Sequence, residues 1–297
     1  MQDIVIKAEN LTKDYGSGRG VFDISLNIRK GEIFGFLGTN GSGKTTTIRS
    51  LLGFIKPDGG ACSVLGMDSW EKSAEIMNYV SYIPGEIAFP SLPTGTAFLK
   101  NQAQFLGVDD YTSMNKVIKE LKLDASADLK RMSKGMKQKT AITAALMSEK
   151  EILILDEPTT GLDPLMRDVF LNLIRSEKAK GHTVLMSGHI FEEIETICDR
   201  AAMIKDGKII DITDLNEAKH SRGKQFIVEF ENEKSAKNFS EKITSEVCGN
   251  VCKIFIPSEK LQMMFRILKQ YKCLSLQEKH FSLEEHFMKT YEREARQ

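Results

Sequence analysis

Up to the run AAMIKDGKIIDI, short apolar stretches alternate with longer ones whose apolar positions recur at helical spacing. EIFGFLG predicts a buried strand, and KTTTIRSLLGF predicts a helix with Ile48, Leu51 and Leu52 on one side. EILILDEP and HTVLMSGH are further short apolar runs, and LMRDVFLNLIRSEKAKG between them reads as a helix closing at Gly181. Strand, crossover helix and strand in succession imply a parallel, largely buried sheet. AAMIKDGKIIDI has the form of a hairpin turning at Asp206-Gly207.

The pattern changes at NEAKHSRGK, so residues 1–215 are expected to form a first domain and 216–224 a linker. Residues 225–297 read as a small C-terminal α/β accessory domain. Its strands are KQFIVEFE, VCKIFIP and CLSLQEK, and its first helix is EKSAKNFSEKI. In the next helix, SEKLQMMFRILKQY, the residues Leu261, Met264, Phe265 and Leu268 make an i, i+3, i+4, i+7 stripe. Ser282 to Glu285 has the spacing of a capping box opening a last helix.

Composition narrows the function. Of 297 residues, 41% are hydrophobic and 28% charged, enough for a substantial core. Lys and Arg total 41, as do Asp and Glu, so the formal charge is zero and a nucleic-acid partner is not expected. No apolar run is long enough to cross a bilayer, and the N-terminus lacks the parts of a signal peptide. A cytoplasmic protein is expected, with any membrane role exerted through a partner. Cys62, Cys198, Cys248, Cys252 and Cys273 are odd in number and scattered, which argues against a disulfide framework. No histidine near Cys248 and Cys252 completes a zinc set. His182, His220, His280 and His286 have no constellation and are expected at the surface.

The chemistry-bearing residues cluster at element ends. Gly38-Thr39-Asn40-Gly41-Ser42-Gly43-Lys44-Thr45, followed by Thr46, fits the phosphate-loop pattern between a strand and a helix. Glycines let backbone N–H groups turn onto phosphate oxygens, Lys44 reaches the outer phosphates, and Thr45 suits a Mg2+ ion. The strand ILIL ends in Asp156-Glu157. Asp156 suits Mg2+ and Glu157 suits polarising an attacking water. A second helix start, Met132-Ser133-Lys134-Gly135, would offer the Ser133 hydroxyl and the N–H groups near Gly135 to another anion.

MSKGMKQK lies shortly before the acidic strand, and in that setting the sequence resembles the ATP-binding cassette (ABC) ATPases. The resemblance implies an α/β fold: a P-loop ATPase of the ABC type, with a mixed sheet core and antiparallel β and helical subdomains. It implies that two cassettes pack head to tail, as a homodimer or heterodimer. Each ATP then lies between the phosphate loop of one chain and Ser133 and Gly135 of the other. Thr160-Gly161-Leu162-Asp163 matches the loop that crosses the dimer interface, His189 the switch histidine at the γ-phosphate, and Tyr15 the aromatic that stacks on adenine. Glu157 and His189 are thereby the implied catalytic pair.

Three positions depart from the family pattern, one of them Lys134 in place of the first of the paired glycines in the signature. Gly85 stands where a Gln usually bridges metal, water and membrane partner, with Glu86 next to it as a weaker metal candidate. Met136 stands where a Gln is usual. EIAFPSLPTGTAFLKNQAQFLG lies where the coupling groove forms, making Phe89, Phe98 and Phe105 candidates for docking. Phe98 and Phe105 suit the core of one helix equally well. With its short α/β tail, the chain looks like a bacterial exporter ATPase, peripheral on the inner face of the cell membrane. Such a subunit powers a separate membrane-spanning permease carrying drug, antibiotic peptide or lipid-like cargo. A regulatory cassette that binds ATP and hydrolyses it poorly, and a soluble non-transport ABC ATPase, are the alternatives.

Overall fold

The computed structural model describes residues 3–221, 224–279 and 282–294. The chain opens with strands β1 (Ile4–Asp14), β2 (Gly20–Arg29) and β3 (Ile33–Leu37), then helix α1 (Lys44–Leu51). Strands β4 (Gly59–Val64) and β5 (Met67–Asp68), the single turn α2 (Ser73–Ile76) and β6 (Val80–Ile83) follow. Three helices come next: α3 (Gly95–Leu106), α4 (Thr112–Glu120) and α5 (Lys134–Leu146). Then β7 (Ile152–Leu155), α6 (Pro164–Ala179), β8 (Thr183–Gly188), α7 (Phe191–Ile197), β9 (Arg200–Lys205) and β10 (Lys208–Asp214) complete the first body.

Six strands form the central sheet in the order β10-β9-β3-β8-β7-β6. Within it β9, β3, β8, β7 and β6 run parallel. Every residue of β3, β7 and β8 is buried. That is why these segments read as unbroken apolar runs: covered on both faces, the strands have no polar side to alternate with. A second, antiparallel sheet runs β2-β1-β4-β5, and its inward residues join α1 in a core with Phe34, Phe36, Ile48 and Leu51. Helices α3 to α5 enclose their own cluster around Leu99, Met114, Leu129 and Met132.

The parallel register places the site. Leu37 pairs with Gly188, Leu155 with Met186, and Ile83 with Leu155. The strands therefore end side by side, and the loops holding Gly38, Gly85, Asp156 and His189 leave the same edge. In open α/β sheets this carboxyl edge is where ligands bind.

The chain folds as two compact units, one running to Thr213 and resuming at His286, the other from Asp214 to Glu285. Of the stretch expected as a linker, residues 216–221 are helical: α8 (Leu215–Ser221) begins where the Asp214 carboxylate accepts the N–H groups of Asn216 and Glu217. The second unit holds β11 (Lys224–Phe230), α9 (Glu233–Ser240), β12 (Ser245–Cys248), β13 (Val251–Ile256), a short 3-10 turn (Ser258–Lys260), α10 (Leu261–Leu268) and β14 (Cys273–Lys279). Its antiparallel sheet has the order β12-β13-β11-β14. Phe226, Val228, Phe230, Phe239 and Met264 form its core. Phe265 of the expected stripe is 41% exposed and meets Phe226 edge-on instead.

The last helix, α11 (Leu283–Glu294), opens with the Ser282 hydroxyl accepting the Glu285 N–H at 3.3 Å. The Glu285 carboxylate pairs with Lys279. From His286 the helix belongs with the first unit. Phe287 packs edge-on to Phe191 at 5.5 Å, and His286 Nε2 lies 2.9 Å from Asp211 Oδ2. His286 is therefore no bare surface residue, nor is His182, whose Nδ1 lies 2.8 Å from the buried Glu177. His280 and the His220 side chain lie outside the described residues.

Candidate functional site

The loop between β3 and α1 turns tightly, with Gly41 and Gly43 at left-handed φ of 81° and 112°. A side chain on Gly43 would strike Val21 as well. Lys44 opens α1 and is only 4% exposed. Its ammonium donates to the carbonyls of Gly38 at 2.8 Å and Thr39 at 3.0 Å, which folds it back over the loop. The Asp206-Gly207 turn of the β9–β10 hairpin braces the same loop: Gly207 N–H donates to Ser42 O at 3.0 Å.

Asp156 is fully buried at the end of β7. Thr45 Oγ1 donates to its Oδ2 at 2.7 Å, and Ser187 Oγ donates to its Oδ1 at 2.6 Å. Ser187 also accepts the Glu157 N–H at 3.0 Å, so one hydroxyl fixes both acidic residues. Glu157 adopts a left-handed φ of 49°, a conformation costing a non-glycine residue roughly 1–3 kcal/mol and concentrated at functional sites. The turn aims its carboxylate back at the phosphate loop. Oε1 lies 3.2 Å from Lys44 Nζ, and Oε2 lies 3.3 Å from both His189 Nδ1 and Thr160 Oγ1. Burial alone would raise the Glu157 carboxyl, but the Lys44 ammonium, with His189 and the Thr160 hydroxyl, holds it below its ordinary value.

Above these groups opens a cleft of about 510 Å³, lined among others by Tyr15, Arg19, Asn40, Lys44, Glu157 and Asp206. Gly41, Gly43, Thr45 and Thr46 line it too. Sequence reasoning did not reach Arg19 and Asp206 as lining residues, nor the double role of Ser187. The signal for Ser187 was a hydroxyl directly after the apolar run Val184-Leu185-Met186, two residues before His189.

Ser133, Gly135 and Asp163 are not among the residues lining this cleft. Ser133 caps α5, its hydroxyl accepting the Met136 N–H at 3.2 Å, and remains exposed. Asp163 caps α6 in the same manner, through the Met166 N–H at 3.0 Å. The two helix starts touch: a β-carbon on Gly135 would lie 2.7 Å from the Gly161 carbonyl oxygen. Glu86 is exposed, and a β-carbon on Gly85 would come within 3.2 Å of Asp156 Oδ2. Of the docking candidates, Phe98 is buried against Phe89 at 4.6 Å, whereas Phe105 is 80% exposed.

The Thr45 hydroxyl and Asp156 carboxylate place two hard oxygens together beside the cleft. That donor set fits Mg2+, which binds through one or two protein oxygens and keeps several waters. Among the described residues no cluster of three or more His, Cys, Asp or Glu is poised to hold a metal, and the five cysteines are free thiols. Also among the described residues, no helix is long and apolar enough to cross a membrane.

The sequence profile described as ABC transporter matches residues 21–160. The bacitracin transport ATP-binding protein BcrA of Bacillus licheniformis is 37% identical over 210 residues, 70% of this chain and 69% of that one. The linearmycin resistance ATP-binding protein LnrL of Bacillus subtilis is 35% identical over 219 residues, 71% of this chain and 70% of that one. Among solved structures, an ATP-binding subunit of an ABC transporter matches with a TM-score of 0.67 and 28% identity over 73% of this chain and 92% of that chain. A dimeric ATP-binding cassette bound to ADP and Pi has a TM-score of 0.62 over 71% of this chain and 98% of that chain. At 23% identity it speaks for the fold alone.

Proposed function

The chain belongs to the ABC transporter family, as an ATP-binding subunit with the P-loop cassette fold and a small C-terminal α/β domain, and from that premise we propose that it hydrolyses ATP to drive export through a separate membrane-spanning permease. The observation that carries the reading is the convergence of Lys44, Thr45, Asp156, Glu157 and His189 at one sheet edge, with Glu157 within 3.3 Å of both Lys44 and His189.

Tyr15 offers its ring to adenine at the mouth of the cleft, and the loop from Gly38 to Thr46 takes the phosphates on its N–H groups. Thr45 and Asp156 would hold Mg2+, which supplies positive charge to the phosphate oxygens. Lys44 neutralises the outer phosphates. Glu157 accepts a proton from the water as its oxygen bonds to the γ-phosphorus. The bond to the β–γ bridging oxygen breaks, leaving ADP and phosphate. His189, beside Glu157, contacts the γ-phosphoryl group and orients the carboxylate.

Ser133 and Gly135 of a second cassette would close over the same nucleotide, with Asp163 and its loop crossing between copies. The exposed Ser133 hydroxyl on a helix N-terminus, apart from the chain's own cleft, supports that arrangement. Export is supported by the relatives named for bacitracin transport and linearmycin resistance. Antibiotic-like or lipid-like cargo and a place on the inner face of the cell membrane follow from the same reading.

The test is Glu157→Gln, which keeps the phosphate contacts and removes the proton acceptor. ATP is expected to convert this variant to a stable dimer with hydrolysis abolished. A variant that stays monomeric at saturating ATP and Mg2+ refutes the shared-nucleotide arrangement. A second reading, a cassette that binds ATP and turns it over poorly, is favoured by Gly85. The long side chain usual at that position is missing beside Asp156. Steady-state hydrolysis by the wild-type chain separates the two.

A further inference from the structure

Glu193 lies on α7, four residues beyond His189, and is 8% exposed. Its Oε2 accepts the Thr159 hydroxyl at 2.7 Å, two residues beyond Glu157. Its Oε1 faces Arg167 Nε at 3.8 Å, and the same Nε donates to the Leu162 carbonyl at 3.2 Å. Leu162 stands between Gly161 and Asp163, in the loop assigned to the dimer interface. Gly161 in turn presses its carbonyl on Gly135 at the head of α5. One contiguous run of contacts thus leads from the Ser133–Gly135 helix start, through the loop and Arg167, into Glu193. From there it runs back through the first turn of α7 and Ile190 to His189, which lies 3.3 Å from Glu157.

A carboxylate so thoroughly buried is uncommon and costly unless paired. Burial pushes the Glu193 carboxyl above its ordinary value, against the opposing pull of the Thr159 hydroxyl, Arg167 and His189. An apolar side chain of similar volume would fill the space at lower cost. What it could not do is hold Thr159 and the Arg167–Leu162 contact together from one helix.

We propose that Glu193 is a positioning residue that locks the Thr160–Asp163 loop to the helix following His189, so that a second copy of this chain pressing on the loop shifts His189 relative to Glu157. This rests on the hydrolytic reading above and deepens it: the interface loop of each cassette tunes its own catalytic pair. Coupling of this kind can be carried by packed contacts, hydrogen bonds and ion pairs, and the close approach of Gly161 to Gly135, the Thr159, Arg167 and Leu162 contacts and the chain from Glu193 back to His189 together supply such a route.

The experiment compares ATP hydrolysis, ATP binding and thermal unfolding of the full chain with Glu193→Gln, Arg167→Leu and the double variant. Gln at 193 keeps an acceptor for Thr159 and gives up the pairing with Arg167. The expected result is a kcat roughly tenfold lower, with KM for ATP and the melting temperature of Glu193→Gln essentially unchanged. Arg167→Leu should show the same kcat loss, and the double variant should be no worse than either single one. Should Glu193→Gln fail to fold, Arg167→Leu, at a third-exposed side chain, carries the comparison. An unchanged kcat in an active background, a rise in KM alone, or strictly additive losses would each overturn the proposal. A wild-type chain without hydrolysis overturns the reading beneath it, and the proposal with it.

Discussion

Lys44 Nζ sits 3.2 Å from Glu157 Oε1, so the cation proposed to grip phosphate and the carboxylate proposed to accept the water's proton share one contact. On that reading, phosphate oxygens drawing Lys44 toward themselves would loosen its hold on Glu157 and make that carboxylate a better base. Lys44→Ala removes a buried charge-assisted donor, worth about 1.5–3 kcal/mol. ATP affinity is expected to fall by at least about tenfold. Equilibrium binding of a fluorescent ATP analogue reads this directly, and unaltered affinity would contradict the assignment.

The same contact shapes the response to acid. The Glu157 carboxyl is held below its ordinary value of 4.5 in the folded chain. A depressed carboxyl contributes stability that is complete above the unfolded value and is lost as pH falls through the folded one. Melting temperature should therefore drop less steeply in acid for Glu157→Gln than for the wild type. Parallel curves for the two proteins over that range would show that the pairing adds nothing.

Gly135, proposed to face a nucleotide across the dimer, also lies against the Thr160–Asp163 loop. A methyl group there meets the Gly161 carbonyl oxygen at 2.7 Å, a backbone atom that cannot swing aside. Gly135→Ala should displace the loop and reduce hydrolysis. The helix itself gains propensity, since Gly to Ala favours a helix by about 1 kcal/mol. Loss of turnover without loss of helix content by circular dichroism is the expected signature. Full turnover would mean the loop relaxes freely.

The two phenylalanines of α3 have opposite surroundings, and their variants should diverge. Phe98→Ala opens a cavity in the α3–α5 cluster and is expected to cost about 3–5 kcal/mol. Phe105, 80% exposed, is expected to lie within about 0.5 kcal/mol of neutral when replaced by Ala. If Phe105 meets the permease, its loss appears only as weaker stimulation of hydrolysis by the membrane subunit. Denaturant melts and reconstituted ATPase assays distinguish the two outcomes.

The placing of Gly38–Thr46, Asp156-Glu157 and His189 at one sheet edge was legible because each abuts the end of a short apolar run. In a parallel sheet, strand ends gather at one edge. Residues acting through distant partners were not. Ser187 looks like strand filling until β8 lies beside β7, and Glu193 looks like one acid in FEEIE until α7 meets Thr159 and Arg167. β12 escaped notice because four mixed residues, SEVC, gain their conformation from pairing with β13 rather than from their own pattern. Residues 216–221 of the expected linker lie in α8 because Asp214 supplies a cap just outside the stretch whose composition had shifted.

The return of α11 to the first unit, with Phe287 against Phe191 and His286 against Asp211, bears on how the chain can be cut. The unit from Asp214 to Glu285 is spliced into its host like a bead threaded on a closed loop. A stop codon before it would also strip away the Phe287 ring, which rests on Phe191 two residues beyond His189. Excision of the bead with the two ends sewn together keeps that ring. The difference between the two deletions isolates what the final helix contributes from what the bead contributes.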